Sequence, residues 1–245
     1  PSTLVDINGL PDLDHVRVDE TGVHVGALAR HADVLGSTDV RRVQPLVSLA
    51  LEHVAHATIR NRGTTVGSIV HADAAAEMPM VISVLGGSVE VASVSGSRTI
   101  PADELYAGPL ESTLRHDEIA VQAFFPALAP GEGVGFEEVA RRHGDYALAG
   151  VGAVVRVDGD AVASARVGFL SVSDTPTVVD VTEALGGVVS TSSTAAAGER
   201  ALAELDPADD VHATASYRAQ RVRGLTARVL RAAYDGARAR AGVPA

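Results

Sequence analysis

The strongest constraint on the fold is a pair of long apolar runs, residues 150–157 and 161–171, which are separated only by Asp-Gly-Asp at 158–160. An Asp-Gly pair between two strand-like runs predicts a tight β-hairpin, because glycine readily adopts the positive φ that such turns require. A third strand-like run, residues 136–140, precedes them. Three consecutive strands with short connections indicate an antiparallel meander rather than parallel β-α-β units.

The first half of the chain mixes strands and helices. Hydrophobic periodicity predicts strands at residues 16–18, 23–27, 89–92 and 119–125, the first two of them as a hairpin. It predicts helices at residues 31–35, 45–56 and 77–85, the last one stopped by Gly86 and Gly87. The predicted second helix has an apolar face formed by Leu46, Leu49, Ala50, His53 and Val54. Residues 59–71 are rich in Thr, Gly and polar residues, so we expect irregular backbone there.

A Pro- and Gly-rich stretch at residues 126–135 is the best candidate for a linker between two domains. It predicts a first domain over residues 1–129 and a second over residues 130–245. The second domain is expected to be a small antiparallel sheet followed by helices at residues 195–205 and 215–241, the last helix with its arginines on the solvent side. The order of these elements favours the α+β class.

Composition excludes several classes of function. The chain has no Cys, so disulfides, thiol nucleophiles and Cys-ligated iron–sulfur clusters cannot form within it. The net charge of −11 argues against nucleic acid as a partner, and all 20 basic residues are arginine. No apolar run has the length of a membrane span, and no signal peptide is visible, so a cytoplasmic location is expected. The chain starts at Pro1 rather than Met, which we interpret as a missing upstream segment.

The most informative segment reads Ile-Arg-Asn-Arg-Gly-Thr-Thr-Val-Gly-Ser at residues 59–68 and Ile-Val-His-Ala-Asp-Ala-Ala-Ala-Glu-Met-Pro at residues 69–79. A Thr/Gly/Ser loop offers backbone N–H groups and hydroxyls without bulk, which a phosphate or a polyol chain requires. The N–H groups of the helix that follows face the same region. A plain small-residue turn between two elements is an equally good interpretation of these residues by themselves.

The segment resembles the second FAD motif of the molybdenum-hydroxylase flavoproteins, which is close to IRNxGTxGGSLAHADPAAELP. Residues 25–33, 117–119 and 136–152 also resemble this family, in the same order along the chain. On these matches the chain is identified as a member of the medium-subunit family of the carbon monoxide/xanthine dehydrogenases. The resemblance implies the middle lobe of a PCMH-type FAD-binding domain, followed by the C-terminal flavoprotein domain, with FAD as the cofactor.

The resemblance also implies which residues contact FAD. Residues 64–68 would lie along the cofactor and contact it mostly through the backbone, and they are Thr64, Thr65, Val66, Gly67 and Ser68. Glu77 would bind the polyol chain, and Ala120 would lie near the flavin ring. Asp73 would hold the loop or cap the next helix, and Tyr146 would cover the isoalloxazine or simply pack.

Three features depart from the family pattern. Val66 stands where the family has glycine, and a β-branched side chain there disfavours both a positive φ and a close approach of the cofactor. Glu137 and Glu138 stand near a position where some relatives carry lysine. The first FAD motif, an AGGQSL-type loop, is absent. Because that lobe supplies charge-assisted contacts to the pyrophosphate, we expect the 245-residue chain to bind FAD weakly by itself.

The resemblance implies an oxidoreductase subunit with no catalytic residue and no metal of its own. Electrons would pass from the [2Fe–2S] clusters of a small partner subunit through FAD to an external acceptor, while a large molybdenum-cofactor subunit hydroxylates the substrate. Two alternatives remain open. One is a flavin-free relative that acts as a scaffold for subunit docking. The other is a separately encoded half that completes its FAD site with a partner polypeptide.

Other combinations of residues point weakly to other functions. His53 and His56 could form a metal pair, but the spacing is not that of a zinc motif and His53 lies on an apolar helical face. Ser171 or Ser173 with Asp174 and His143 could suggest a hydrolase, but no nucleophile elbow surrounds either serine. A solvated face or a subunit contact is the interpretation for the arginines of the C-terminal helix, which are Arg218, Arg221, Arg223, Arg228 and Arg231.

Overall fold

The structure is a computed structural model that describes residues 2–242, and these residues form two larger antiparallel sheets and one two-stranded sheet. The strands are β1 Val16–Val18, β2 Gly22–Gly26, β3 Ser88–Ser93, β4 Gly96–Pro101, β5 Tyr106–Gly108, β6 Glu111–Ser112, β7 Ile119–Pro126, β8 Glu132–Ala140, β9 Ala147–Asp158, β10 Ala161–Leu170 and β11 Thr177–Asp180. The helices are α1 His31–Gly36, α2 Thr38–Val43, α3 Pro45–Leu51, α4 Ala57–Arg60, α5 Thr65–His71, α6 Glu77–Leu85, α7 Thr182–Leu185, α8 Thr191–Leu202 and α9 Ala215–Arg240.

The first sheet has the strand order β1-β2-β7-β3-β4. Its central strand β7 pairs with β2 and β3, and Ala123 lies opposite both Val25 and Val89. These three side chains are fully buried, because one face of the sheet is covered by helices α5 and α6. Buried residues alternate with half-buried ones along most of β3, in keeping with the alternating apolar pattern from which this strand was predicted.

The second sheet has the order β11-β10-β9-β8. Strands β9 and β10 form the predicted hairpin, and Gly159 has a φ of 58° in its turn. One face of the sheet packs against α9, which packs in turn on α8, around a core of Val, Ala and Leu. The expected α+β class, with an antiparallel sheet and C-terminal helices, is confirmed.

Helix α6 lies between the two sheets, and we call its contact with β9 and β10 the α6 seam. Every residue of α6 except Ser83 is buried. The seam is close because glycines face the helix: a Cβ built on Gly168 would lie 2.7 Å from Sδ of Met80, and one on Gly152 would lie 2.8 Å from its Cε. The helix ends at Leu85 and is followed by the predicted stop at Gly86, which forms a left-handed cap with a φ of 65°.

Several expectations were wrong. Residues 59–71 are not irregular, because they contain the end of α4 and all of α5. The hydroxyl of Thr64 accepts a hydrogen bond from the amide of Gly67 (3.1 Å) and starts α5 at that point. Helix α3 ends at Leu51 instead of His56, Ala55 has a φ of 44°, and Leu49 is exposed.

The arginines of the C-terminal helix do not all lie on its solvent side. Arg218 is 6% exposed and lies on the same face of α9 as Val222, Leu225 and Val229, which are buried at helical spacing. Its position contradicts the expectation of a solvated arginine face. Within residues 2–242, no helix is both long enough and apolar enough to cross a membrane.

Candidate functional site

A cleft with a volume of about 930 Å³ opens between the loop before α6 and the second sheet. Its size is in the range of small-molecule and cofactor sites. It is lined by residues 73–75, 109–110, 141–142, 144–148, 171–174, 206, 208, 210, 212 and 218. Of the nine positions predicted to contact FAD, Asp73 and Tyr146 line this cleft, and the other seven do not.

The wall formed by residues 72–75 is held from two sides by backbone hydrogen bonds. The amide of Leu110 donates to the carbonyl of Ala72 (3.1 Å), and the amide of Ser171 donates to the carbonyl of Ala74 (2.8 Å). Ala72, Leu110 and Ser171 have φ values of 59°, 57° and 63°. Each left-handed residue of this kind costs about 1–3 kcal/mol and tends to occur at functional sites. We call this arrangement the loop clamp.

Asp73 holds the wall loop and does not cap the next helix. Its Oδ1 accepts a hydrogen bond from the amide of Ala75 (2.8 Å), whereas the N-cap of α6 is Ala76, which has no side-chain cap. Asp73 also acts on Tyr146, whose pKa is raised by partial burial first and then by the charges of Asp73 and Glu77. The Tyr146 phenol therefore stays protonated and neutral at physiological pH.

The aromatic face of Tyr146 is uncovered. Tyr146 is 65% exposed and Leu110 is 61% exposed, although both line the cleft. Exposed apolar side chains that converge on one concave surface indicate a ligand with an apolar or aromatic face. A flat ring system packed on Tyr146 would bury both side chains, so these residues fit a flavin.

Residues 64–68 form the start of α5 and are firmly held. The hydroxyl of Thr65 is hydrogen-bonded to Nδ1 of His31 (3.1 Å), and Val66 is buried in the first core. Burial lowers the pKa of His31 to about 4, with a contribution from the charge of Arg60, so the imidazole is neutral. Gly67 is exposed and Ser68 is partly exposed, and neither residue lines the cleft.

Glu77 and Ala120 occupy buried positions that do not line the cleft. Glu77 is the first residue of α6, and its pKa is raised to about 7 by burial first and then by the charge of Glu138. Ala120 lies in β7 opposite Val91 and is 8% exposed in the first core. The charge of Glu77 also contributes to the raised pKa of Tyr146.

Arg218 is a residue of the cleft that the sequence interpretation missed. Its guanidinium donates to the carbonyls of Leu148 (2.9 Å) and Ser171, and it pairs with Oδ2 of Asp210 (2.5 Å). It therefore connects α9 to the start of β9 and to the loop clamp. Its spacing of four residues from buried Val222 is the signal that could have identified it.

The other predicted combinations do not form sites of their own. Nδ1 of His53 lies 3.4 Å from Glu138 Oε1, and the ring of His56 lies 6.3 Å from that of His143. No group of three potential ligands for a metal ion is found within residues 2–242. Ser173 donates its hydroxyl to the carbonyl of Val172, so it is not positioned as a nucleophile.

Comparison with known proteins identifies the family. Residues 1–128 match the FAD binding domain in molybdopterin dehydrogenase, and residues 135–233 match the CO dehydrogenase flavoprotein C-terminal domain. The chain is 39% identical over 241 residues to the 6-hydroxypseudooxynicotine dehydrogenase complex subunit alpha of Paenarthrobacter nicotinovorans, an alignment that covers 97% of this chain and 81% of that protein. It is 38% identical over 234 residues to the nicotine 6-hydroxylase medium subunit of the same organism, with 94% and 81% covered.

Solved structures give the same result. The chain superposes on quinoline 2-oxidoreductase from Pseudomonas putida 86 with a TM-score of 0.90 and 33% identity, covering 97% of this chain and 83% of that one. The corresponding values for a carbon monoxide dehydrogenase from Hydrogenophaga pseudoflava are 0.87 and 30%, with 94% and 81% covered. The fold and the site therefore define an oxidoreductase flavoprotein with FAD as its cofactor.

Within that class, the chain belongs to the FAD-binding medium subunits of the carbon monoxide/xanthine dehydrogenase family. The family that the sequence motifs indicated is thereby confirmed, as is the cofactor.

Proposed function

We propose that this chain is the electron-transfer subunit of a molybdenum hydroxylase. Electrons enter from the [2Fe–2S] clusters of a small partner subunit and leave through FAD to an external acceptor. The chain contains no Cys and cannot ligate such clusters by thiolates, which supports their placement on a partner. A large subunit with the molybdenum cofactor is the second proposed partner, and the cytoplasm is the proposed location.

The observation that best supports this function is the uncovered ring of Tyr146 beside the loop clamp. When bound, FAD supplies the redox chemistry of the subunit. The chain itself orients the cofactor: Tyr146 covers its ring, and Asp73 holds the wall loop at residues 72–75. The clamp donors Leu110 and Ser171 keep that loop in place, so the cleft is formed before the cofactor binds.

We also propose contacts for the remaining predicted residues. Gly67 and Ser68 offer an exposed backbone and hydroxyl to the cofactor, while Thr64, Thr65 and Val66 fix the start of α5. Glu77, the first residue of α6, is proposed to bind the polyol chain of the cofactor, as the family resemblance implies. Ala120 is proposed to lie near the flavin ring, as the family resemblance implies, and a larger side chain there would disturb the buried pairing with β3.

We propose that residues 1–129 and 130–245 act as the two domains of this subunit. Strands β3 and β9 lie in different sheets, and the chain passes from one sheet to the other between Pro126 and Glu132. This division is supported by the linker composition of that segment.

A titration with FAD tests the proposed function. The chain has no Trp, so the fluorescence of the flavin itself is the reporter, and stacking on Tyr146 is expected to quench it. Tyr146→Ala should weaken binding about tenfold and restore fluorescence, since a stacked aromatic pair contributes about 0.5–1.5 kcal/mol beyond area burial. Tyr217→Ala is the matched control, because Tyr217 packs against Arg221 on α9.

The second candidate function is a flavin-free docking subunit. It is favoured by Val66, whose side chain lies in the core at a position where the family has glycine. The same titration separates the two candidates. Saturable quenching that Tyr146→Ala relieves supports the electron-transfer subunit. Absence of binding, both for the chain alone and for the chain assembled with its partner subunits, supports the docking subunit.

A further inference from the structure

A solvent-exposed turn before β1 carries the pair Asn8-Gly9. The amide of Leu10 donates to the carbonyl of Ile7 (3.1 Å) and closes the turn, so Asn8 and Gly9 are its two central residues. Neither residue belongs to the predicted FAD contacts or lines the cleft. An asparagine followed by glycine is open to attack by its own backbone, because glycine has no Cβ to shield the attacking nitrogen.

The backbone nitrogen of Gly9 has no hydrogen-bond acceptor among residues 2–242. The amides on either side of it are both engaged: that of Asn8 donates to Oδ1 of Asp6 (2.9 Å), and that of Leu10 closes the turn. A Cβ built on Gly9 would meet no atom within 4 Å beyond its chain neighbours. The nitrogen can therefore attack a neighbouring carbonyl without breaking a hydrogen bond or meeting a steric obstacle.

The side chain of Asn8 is held at both ends. Nη2 of Arg30 donates to its Oδ1 (2.8 Å), and its Nδ2 donates to Oδ1 of Asp6 (2.7 Å). A guanidinium bound to Oδ1 makes Cγ more electrophilic, and it stabilises the negative charge that develops on this oxygen when Cγ is attacked. Asn8 thus combines an activated side-chain carbonyl with a free backbone nitrogen in the next residue.

We propose that Asn8 is a site of spontaneous deamidation, in which the backbone nitrogen of Gly9 expels ammonia from the side chain and Arg30 activates the carbonyl. The nitrogen of Gly9 loses its proton to hydroxide and forms a bond to Cγ of Asn8. The bond from Cγ to Nδ2 then breaks, and the NH2 group takes a proton from water and leaves as ammonia. Water opens the resulting succinimide ring at either carbonyl and leaves aspartate or isoaspartate at position 8.

The products cannot make the contacts of Asn8. In aspartate an oxygen replaces Nδ2 at 2.7 Å from Oδ1 of Asp6, so two carboxylates repel each other at this point. Isoaspartate places the side-chain carbon in the main chain, which lengthens the turn and displaces the group that Arg30 binds. Deamidation therefore changes what holds the guanidinium of Arg30.

Arg30 joins this turn to the segment before α5. Its Nη1 donates to the carbonyl of Arg62 (2.6 Å), and its backbone forms a β-bridge with Thr64, the N-cap of α5. Isoaspartate at position 8 frees one side of the guanidinium that holds Arg62. Amide hydrogen exchange around residues 61–65 should become faster in the isoaspartate form by up to about tenfold, the equivalent of one lost hydrogen bond.

The experiment incubates the folded chain at several pH values, cleaves it after glutamate and analyses the peptides by mass spectrometry. Asn8 then lies in the peptide 1–20, and Asn61, the other asparagine of the chain, lies in the peptide 53–77 as an internal control. Fragmentation distinguishes isoaspartate from aspartate. We expect Asn8 to be converted to a mixture of both at a rate that rises with pH, while Asn61, which precedes an arginine, stays intact.

Three variants test the proposed chemistry. Arg30→Gln should slow the conversion of Asn8 about tenfold, through the loss of one charge-assisted hydrogen bond. Gly9→Ala should slow it at least as strongly, because a methyl group then crowds the attacking nitrogen. Arg41→Gln is the matched control, since Arg41 is an exposed residue of α2. In urea, where the contacts of Arg30 are absent, Arg30→Gln and the wild-type chain should react at the same rate.

Each outcome decides one part of the proposal. Conversion of Asn8 with isoaspartate among the products, slowed in Gly9→Ala, supports the deamidation site. No conversion, aspartate without isoaspartate, or equal conversion at Asn61 overturns it. A folded Arg30→Gln chain that reacts as fast as the wild-type chain overturns the role of Arg30. Unchanged hydrogen exchange in the peptide 53–77 of the isoaspartate form overturns the coupling to the segment before α5.

Discussion

Replacement of Arg218 by alanine is the sharpest test of how the cleft is held together. The substitution removes the donor for the carbonyls of Leu148 and Ser171 and the cation beside Asp210. Both hydrogen bonds are partly buried, and an acceptor that loses its donor in such a place costs about 1–2 kcal/mol. Asp210 has a side chain that is 44% exposed and can be hydrated again, so its contribution is small. The expected loss of unfolding free energy is about 2–4 kcal/mol.

For a chain of this size, that loss corresponds to a decrease in Tm of roughly 5–15 °C. The assay is thermal unfolding followed by circular dichroism, with Arg223→Ala as the control on the same helix. Arg223 pairs with Glu199 at the surface, where the two side chains are 47% and 62% exposed, so its Tm should hardly change. Arg218→Lys keeps the charge but cannot reproduce all three contacts, so its Tm should lie between the Tm of Arg218→Ala and that of Arg223→Ala. Equal Tm values for Arg218→Ala and Arg223→Ala would refute the reasoning.

Two further predictions concern stability. The pKa of Glu77 is raised from 4.5 to about 7, so the folded state binds this proton more tightly, and stability should fall by about 3 kcal/mol as the pH rises through that window. Glu77→Gln should flatten this slope, measured as urea midpoints at several pH values; an unchanged slope contradicts the assignment. Gly168→Ala should cost about 1–3 kcal/mol, because its methyl group would lie 2.7 Å from Met80 Sδ, whereas Gly9→Ala meets no atom within 4 Å and should be neutral in the same assay.

Elements with a strong local pattern could be predicted from the sequence. Helix α6 begins and ends at the predicted residues, because its apolar run favours a helix and Gly86 stops it. The hairpin of β9 and β10 was equally clear from its Asp-Gly turn. In both cases the residues that decide the structure are neighbours in sequence.

Helix α5 could not be predicted in this way. Its sequence, Thr-Val-Gly-Ser-Ile-Val-His, is poor in strong helix formers. The helix is stabilised by contacts from elsewhere in the chain: the hydroxyl of Thr65 is hydrogen-bonded to His31, and Val66 and Ile69 are buried in the first core. Tertiary packing decides the structure of a helix this short.

Some residues of the candidate site could likewise be predicted from the sequence, and others could not. Asp73 and Tyr146 were identified because a family motif surrounds each of them, and both line the cleft. The loop clamp was missed, since it depends on backbone bonds from Leu110 and Ser171, which are distant in sequence from the loop. The pair of His53 and Glu138 was missed because a polar residue on the inner face of a strand runs against the hydrophobic pattern.

The α6 seam has a consequence for how such subunits can evolve. Helix α6 belongs to the first family segment, while Gly152 and Gly168 belong to the second. Each segment therefore needs the other to cover its side of the seam. Recombination between relatives at the linker would combine α6 from one parent with β9 and β10 from the other. The glycines of those strands would then face a side chain other than the one they pack against in their own parent. Chimeras with a crossover at residues 127–131 should therefore be viable only when both parents share the residue at position 80, and the two segments are inherited together.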